Sequence, residues 1–148
     1  MRFTITTLVL GFFFNPLTAQ FSTPNTGVHW TLDYIAAVSP QTVTVSGNEY
    51  TLHENLMVEL NDSLSLNENL ILNIDPDVEV EIKGFFRSDA DQIMITATDE
   101  TNPYEGFWFF DTSEVFFRNT VIQYGGGLRV ITTNFEMHNC GMYYNVSG

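Results

Sequence analysis

The chain has 148 residues, a formal net charge of −13 at pH 7, 44% hydrophobic residues and one cysteine. That length fits a single domain, and so acidic a surface repels phosphate backbones, which disfavours nucleic acid as a partner. A lone thiol, Cys140, excludes an intramolecular disulfide even in an oxidising compartment.

At the start, Met1-Arg2 is positive and Phe3 to Phe14 is apolar apart from its threonines and Gly11. Asn15-Pro16 breaks the run and Leu17-Thr18-Ala19 precedes Gln20. This pattern predicts a secretory signal peptide over residues 1–19, cleaved after Ala19, although Leu17 departs from the small residue preferred there. The apolar run is shorter than the roughly 20 residues that span a bilayer, and no later stretch is long enough either. The expected location is secreted, extracellular or at the cell surface. Removing residues 1–19 leaves 18 acidic residues against Lys83, Arg87, Arg118 and Arg129.

Residues 20–40 read as a lead-in and an N-terminal cap. Gln20 to Gly27 is rich in Ser, Thr, Pro and Asn, the composition of a flexible segment. Thr31 to Val38 predicts a short helix with Thr31 as N-cap, Asp33 in the first turn, and Leu32, Ile35 and Val38 spaced three apart. Pro40 stops it. So short a helix must dock on something apolar, such as the open first coil of a repeat array.

From residue 41 to 148 the period is that of strands. Val43 and Val45 alternate with threonines and Gly47-Asn48 signals a turn. Residues 50–60 and 64–74 resemble each other at an offset of 14, each copy reading strand, turn, strand. Val78, Val80 and Ile82 face one way while Asp77, Glu79 and Glu81 face the other. Gly84, Gly106, Gly127 and Gly148 then recur at spacings of 22, 21 and 21, each of the first three followed by a strand-like run. A period near 21 built from short strands predicts one solenoid coil per repeat. On this frame Phe107, Phe109, Phe117, Phe135, Tyr124 and Tyr144 point inward, and Arg118 aligns with Thr96 and His138, without an acidic partner. Cys140 aligns with Thr120 and reads as a small buried hydrophobe. The parity of alternation changes after Phe117 and after Met137, which requires one extra residue at each place. Asn119 and Asn139 occupy those places and predict a corner with an inward-turned Asn, its amide stacked on its equivalent one coil away.

Several stretches bring a family into view: Gly27-Val-His-Trp-Thr-Leu-Asp33, Ile95-Thr-Ala-Thr-Asp99, Asn102-Pro-Tyr104, Tyr124-Gly-Gly-Gly-Leu-Arg-Val130, Asn139-Cys140 and Asn145-Val-Ser-Gly148. From about Gly27 to Gly148 the chain resembles the N-terminal part of secreted, pectate-lyase-like parallel β-helix proteins of Bacteroidota. The resemblance implies an all-β, right-handed parallel β-helix with a short N-terminal capping helix. It also implies secretion, with further coils downstream and often a C-terminal sorting domain for type IX secretion. It implies little chemistry; the residues themselves call for no cofactor, calcium being the one candidate.

Pectate-lyase-like enzymes use clustered carboxylates to hold calcium and a basic residue to abstract a proton. Here Asp75, Asp77, Glu79 and Glu81 alternate along one strand and spread along it, whereas calcium wants six to eight oxygens converging on one point. That run reads as a solvated face. Tyr124-Gly125-Gly126-Gly127 precedes no helix, so it reads as a coil corner rather than a phosphate cradle. Trp108, Phe116 and Tyr143 fall on the outward parity, where flat rings can stack on sugars or another protein, and Arg129 aligns with Trp108. These four are the candidate binding residues, expected to lie within reach of one another; a following domain or loop could equally cover the rings. The sequence thus favours a scaffold or adhesin-like module that presents surfaces to polysaccharide or protein. The alternative is the N-terminal part of a calcium-dependent polysaccharide lyase or glycoside hydrolase.

Overall fold

The computed structural model describes residues 19–146. The segment read as a signal peptide, apart from Ala19, and the fourth repeat glycine, Gly148, lie outside them. The first coil holds β1 (Gln20–Ser22), β2 (His29–Trp30), α1 (Leu32–Val38), β3 (Val43–Ser46) and β4 (Glu49–Leu52). The next holds β5 (Asn55–Val58), β6 (Ser63–Leu66) and β7 (Leu70–Ile74), and the third β8 (Glu79–Ile82) and the long β9 (Phe85–Ala97). β10 (Gly106–Phe109) and β11 (Glu114–Gln123) follow, then β12 (Leu128–Val130), β13 (Asn134–His138) and β14 (Gly141–Tyr143). The result is a parallel β-solenoid of about four turns.

Three faces run the length of it. The first is the five-stranded sheet β1-β5-β8-β10-β12. The second stacks β2, β6, the front of β9, the front of β11 and β13. The third stacks β4, β7, the back of β9, the back of β11 and β14. β3 turns back antiparallel on β4 and covers its free edge, so that β3, rather than β4, is the edge strand at this end of the third face. Thr31 caps α1 by accepting the Tyr34 N–H at 3.2 Å, and Leu32 and Ile35 plug the end of the core. Val38 does not join them: it sits 52% exposed at the last turn, where the Ser39 N–H closes the helix on the Ile35 carbonyl.

Inside, columns of apolar side chains stack from coil to coil, for example Leu56, Val80, Phe107 and Leu128. Phe86 is fully buried among Phe107, Phe109 and Phe117, with ring centroids 5.0–6.0 Å away. Edge-to-face and tilted pairs at such distances add to the burial energy of the rings.

The coils are not of equal length. Along the third face, Tyr50, Leu72, Ile95, Ile122 and Met142 stand in register, steps of 22, 23, 27 and 20 residues. The long step takes in the loop after Ala97, and it breaks the frame that the glycines suggested. Gly106 and Gly127 are equivalent, each at the start of a first-face strand, but Gly84 precedes a second-face strand, with Phe85 opposite Glu114. A side chain on Gly84 would collide with the Asp62 and Glu59 carbonyls, so the residue serves close approach of two corners. The offset of 14 is likewise no coil step, since Tyr50 pairs with Leu72.

Asn119 and Asn139 hold left-handed conformations, φ 50° and 52°, where β9, β11 and the last coil turn from second face to third. Asn139 Nδ2 donates to Asn119 Oδ1 at 2.7 Å and Asn119 Nδ2 to the Ala90 carbonyl at 2.9 Å. Asn119 is half-buried and Asn139 exposed, so the amides stack along the corner rather than inside the core. Tyr124 and Tyr144 have the same backbone conformation, φ 54° in both, at the next corner. That turn takes them out of the inward parity expected for them. Their rings stack 5.1 Å apart at the margin of the core, Tyr124 half-buried against it and Tyr144 75% exposed. Phe107, Phe109 and Phe117 are buried as expected, while Phe135, in the last described coil, is half-buried.

The lead-in is stitched down rather than free. β1 pairs with β5, and Asp62, 2% exposed, gathers the loop that follows. Its Oδ1 accepts the N–H groups of Thr26, Gly27 and Val28 at 3.0, 2.8 and 2.9 Å, and its Oδ2 that of Asn25 at 2.7 Å. Burial pushes this carboxyl up, but the Thr23 hydroxyl and the N–H groups of Val28, Asn25 and Gly27 outweigh it and hold it below the ordinary carboxylate value.

Candidate functional site

On the outside of the first face, alternation in β8, β10 and β12 aligns Glu81, Trp108 and Arg129 on successive coils. The Arg129 guanidinium lies over the Trp108 indole, 4.0 Å from its centroid, a cation–π contact that leaves the donor edges of the guanidinium outward. Among the described residues Arg129 makes no ion pair with a carboxylate. Glu79 stands one strand position pair away from Glu81. Its carboxyl is raised above the ordinary value by burial first and then by repulsion from Glu81 and Glu105, with Arg129 opposing. A groove of about 690 Å³ opens beside this cluster, lined by Glu105, Trp108, Leu128, Arg129, Met142 and Asn145 among others.

Phe116 lies on a different face. It is held on the second face between the Arg87 guanidinium, 4.5 Å from its centroid, and the His138 ring at 5.5 Å. Asp89 ties the neighbouring cations together: Arg87 pairs with one of its oxygens and Arg118 with the other at 2.5 Å. Arg118 therefore does have an acidic partner. The expected frame placed Thr96 opposite it, but the step here is 29 residues, and Asp89 and His138 are its neighbours. Tyr143 lies on the third face, opposite Gln123 and 54% exposed. The four candidate residues thus do not form one surface. Trp108 and Arg129 come together, while Phe116 and Tyr143 occupy the other two faces.

The remaining polar clusters are structural. His53 Nδ1 is 2.7 Å from Asp75, which also accepts from the Thr98 hydroxyl at 2.9 Å. The Tyr50 hydroxyl donates to Asp33 at 2.9 Å, and burial followed by that bond pushes its pKa up to about 12. Among the described residues, no three His, Cys, Asp or Glu side chains stand close enough to hold a metal ion, and no helix is long and apolar enough to cross a membrane. Arg87 and Asp89 were missed as partners of Phe116 and Arg118, and the only signal for them was the register of the long coil. No family model matches the chain, and neither a curated protein nor a solved structure matches it.

Proposed function

We propose that this chain is a secreted β-solenoid scaffold, adhesin-like and acting by binding rather than catalysis, which presents its outer faces to extracellular glycan or protein. The pattern of residues 1–19 supports export, and the resemblance to secreted β-helix proteins of Bacteroidota supports the same compartment. The observation that carries the binding role is the Trp108–Arg129 pair beside its groove. A half-buried indole carrying an exposed guanidinium suits a ligand that offers a flat apolar surface next to a carboxylate, either an acidic sugar or a protein side chain. The surrounding Glu79, Glu81 and Glu105 limit the charge such a ligand can carry, so a polyanion is disfavoured.

The test is binding on a glycan array and to extracellular-matrix proteins, comparing wild type with a Trp108→Ala, Arg129→Ala double variant. A tenfold or greater loss for the best-bound ligand in a folded variant sustains the site. Unchanged binding removes these two residues from it.

A further inference from the structure

The three faces differ sharply in charge. The first carries Glu79, Glu81 and Arg129, and the second Arg87, Asp89, Glu114, Arg118 and Glu136. The third face, from Thr51 in β4 to Tyr143 in β14, has no charged side chain on its outward positions. Glu49, exposed and in register with Ile71, places a carboxylate at the capped end of the strip, and Asp75, at its margin, is engaged by His53 and Thr98. In a chain of net charge −13 an uncharged strip several coils long is unusual composition for a merely solvated surface.

Its side chains fall into two parallel columns. Ile71, Met94 and Val121 form an aliphatic column, and Thr51, Asn73, Thr96 and Gln123 a hydrogen-bonding one. All seven are half-buried, packed flush against their neighbours, and Gln123 Nε2 donates to Thr96 Oγ1 at 3.3 Å. The hydrogen-bonding column ends on the exposed ring of Tyr143. With coils about 4.8 Å apart the strip is about 19 Å long, and its columns are roughly 7 Å apart.

We infer that this third face binds a neutral polysaccharide chain laid along the solenoid axis. Sugar rings present C–H faces beside hydroxyl edges at a regular repeat, which matches an aliphatic column beside a hydrogen-bonding one with a terminal aromatic platform. The absence of charge selects a neutral polymer, since a polyanion is repelled by the rest of the molecule and a polycation is drawn to the acidic faces instead. A second copy of the chain is a poorer fit. A strip of this size buries roughly 200 Å² on each partner, well below the about 800 Å² per partner of a stable interface. The inference rests on the reading of the molecule as a binding scaffold, but not on the Trp108 site.

The experiment is co-sedimentation with insoluble cellulose, chitin and β-1,3-glucan, with soluble polygalacturonate as a charged comparison. Thr96→Lys and Gln123→Glu place a charge of either sign at mid-strip on outward side chains, and circular dichroism checks that both fold. The expected result is retention on at least one neutral polymer, reduced tenfold or more in both variants and kept in Glu114→Gln, which alters the second face instead. Retention lost in Trp108→Ala but unchanged in the two strip variants overturns the inference while leaving the scaffold reading intact. Preference for polygalacturonate overturns it, as does failure to sediment with any neutral polymer; the scaffold reading is then decided by the array with the double variant. A dimer in light scattering that Thr96→Lys converts to monomer also overturns it, by assigning the strip to contact between copies.

Discussion

Replacing Asp62 by Asn removes one charge and keeps the shape, which isolates what the carboxylate does for the first coil. In the native chain four backbone N–H groups converge on it, three on Oδ1 and one on Oδ2. An amide can keep its oxygen toward Thr26, Gly27 and Val28, but it then points an NH₂ group at the Asn25 N–H, donor against donor. One bond is lost and three lose the assistance of a full charge, which roughly halves them. Hydrogen bonds to charged groups are worth about 1.5–3 kcal/mol net. Since Asn25, Thr26 and Gly27 are exposed and their N–H groups can recruit water, the expected destabilisation is about 2–4 kcal/mol. The pH dependence has a defined sign. The carboxyl is held below its ordinary value, so its contribution is complete above the unfolded value near 4 and fades as pH falls through the lower folded value. Urea denaturation of wild type and Asp62→Asn at pH 7 and pH 3 measures both, and the difference between the two proteins cancels the titration of the other carboxylates. A difference below 0.5 kcal/mol at pH 7, or one that stays constant down to pH 3, would refute this account of the clamp.

Other expectations follow from the packing. Phe86→Ala empties the middle of the aromatic cluster and should cost about 3–5 kcal/mol, read by thermal unfolding; a loss under 1 kcal/mol contradicts its central place. Asn119→Ala removes the bonds to Ala90 and Asn139 and puts alanine at positive φ, an expected loss of about 2–3 kcal/mol by urea denaturation. Asn139→Leu, at the exposed end of the same pair, should cost less, about 1–2 kcal/mol. Gly84→Ala should destabilise despite its unstrained backbone, because the added methyl meets the Asp62 and Glu59 carbonyls; hydrogen exchange should show both corners opening together.

Much of this architecture was legible because burial enforces parity. Val78, Val80 and Ile82 point inward as alternation requires, and the parity change around Asn119 and Asn139 marks a true corner. Thr31 announces the helix by local capping chemistry. What escaped was information carried between coils. The loop after Ala97 lengthens one coil, so evenly spaced glycines suggested a repeat that mixes two faces, and the error moved Arg118 away from Asp89. Tyr124 and Tyr144 carry no signal of a left-handed turn in their residue type, unlike Asn, and so were assigned inward. Asp62 finds its partners 34–37 residues away, beyond the reach of any local pattern. The candidate site suffered most, because a face is defined by register, and the three outward rings look equivalent until register separates them.

Every candidate side chain is assigned to its face by that register, so the most direct test is to read it chemically. In a Cys140→Ser background, cysteines at Arg87 and Phe116 stand on neighbouring coils, opposite each other on the second face. Adjacent parallel strands place such Cα atoms near 4.8 Å, within the range a disulfide bridges. Met94 and Phe116, which a uniform 22-residue coil would pair, belong to different faces. Mild oxidation followed by peptide mass spectrometry should therefore link the 87–116 pair rapidly and leave the 94–116 pair reduced. A 94–116 link, with 87–116 unlinked, would contradict the three-faced solenoid and the placement of every residue on it.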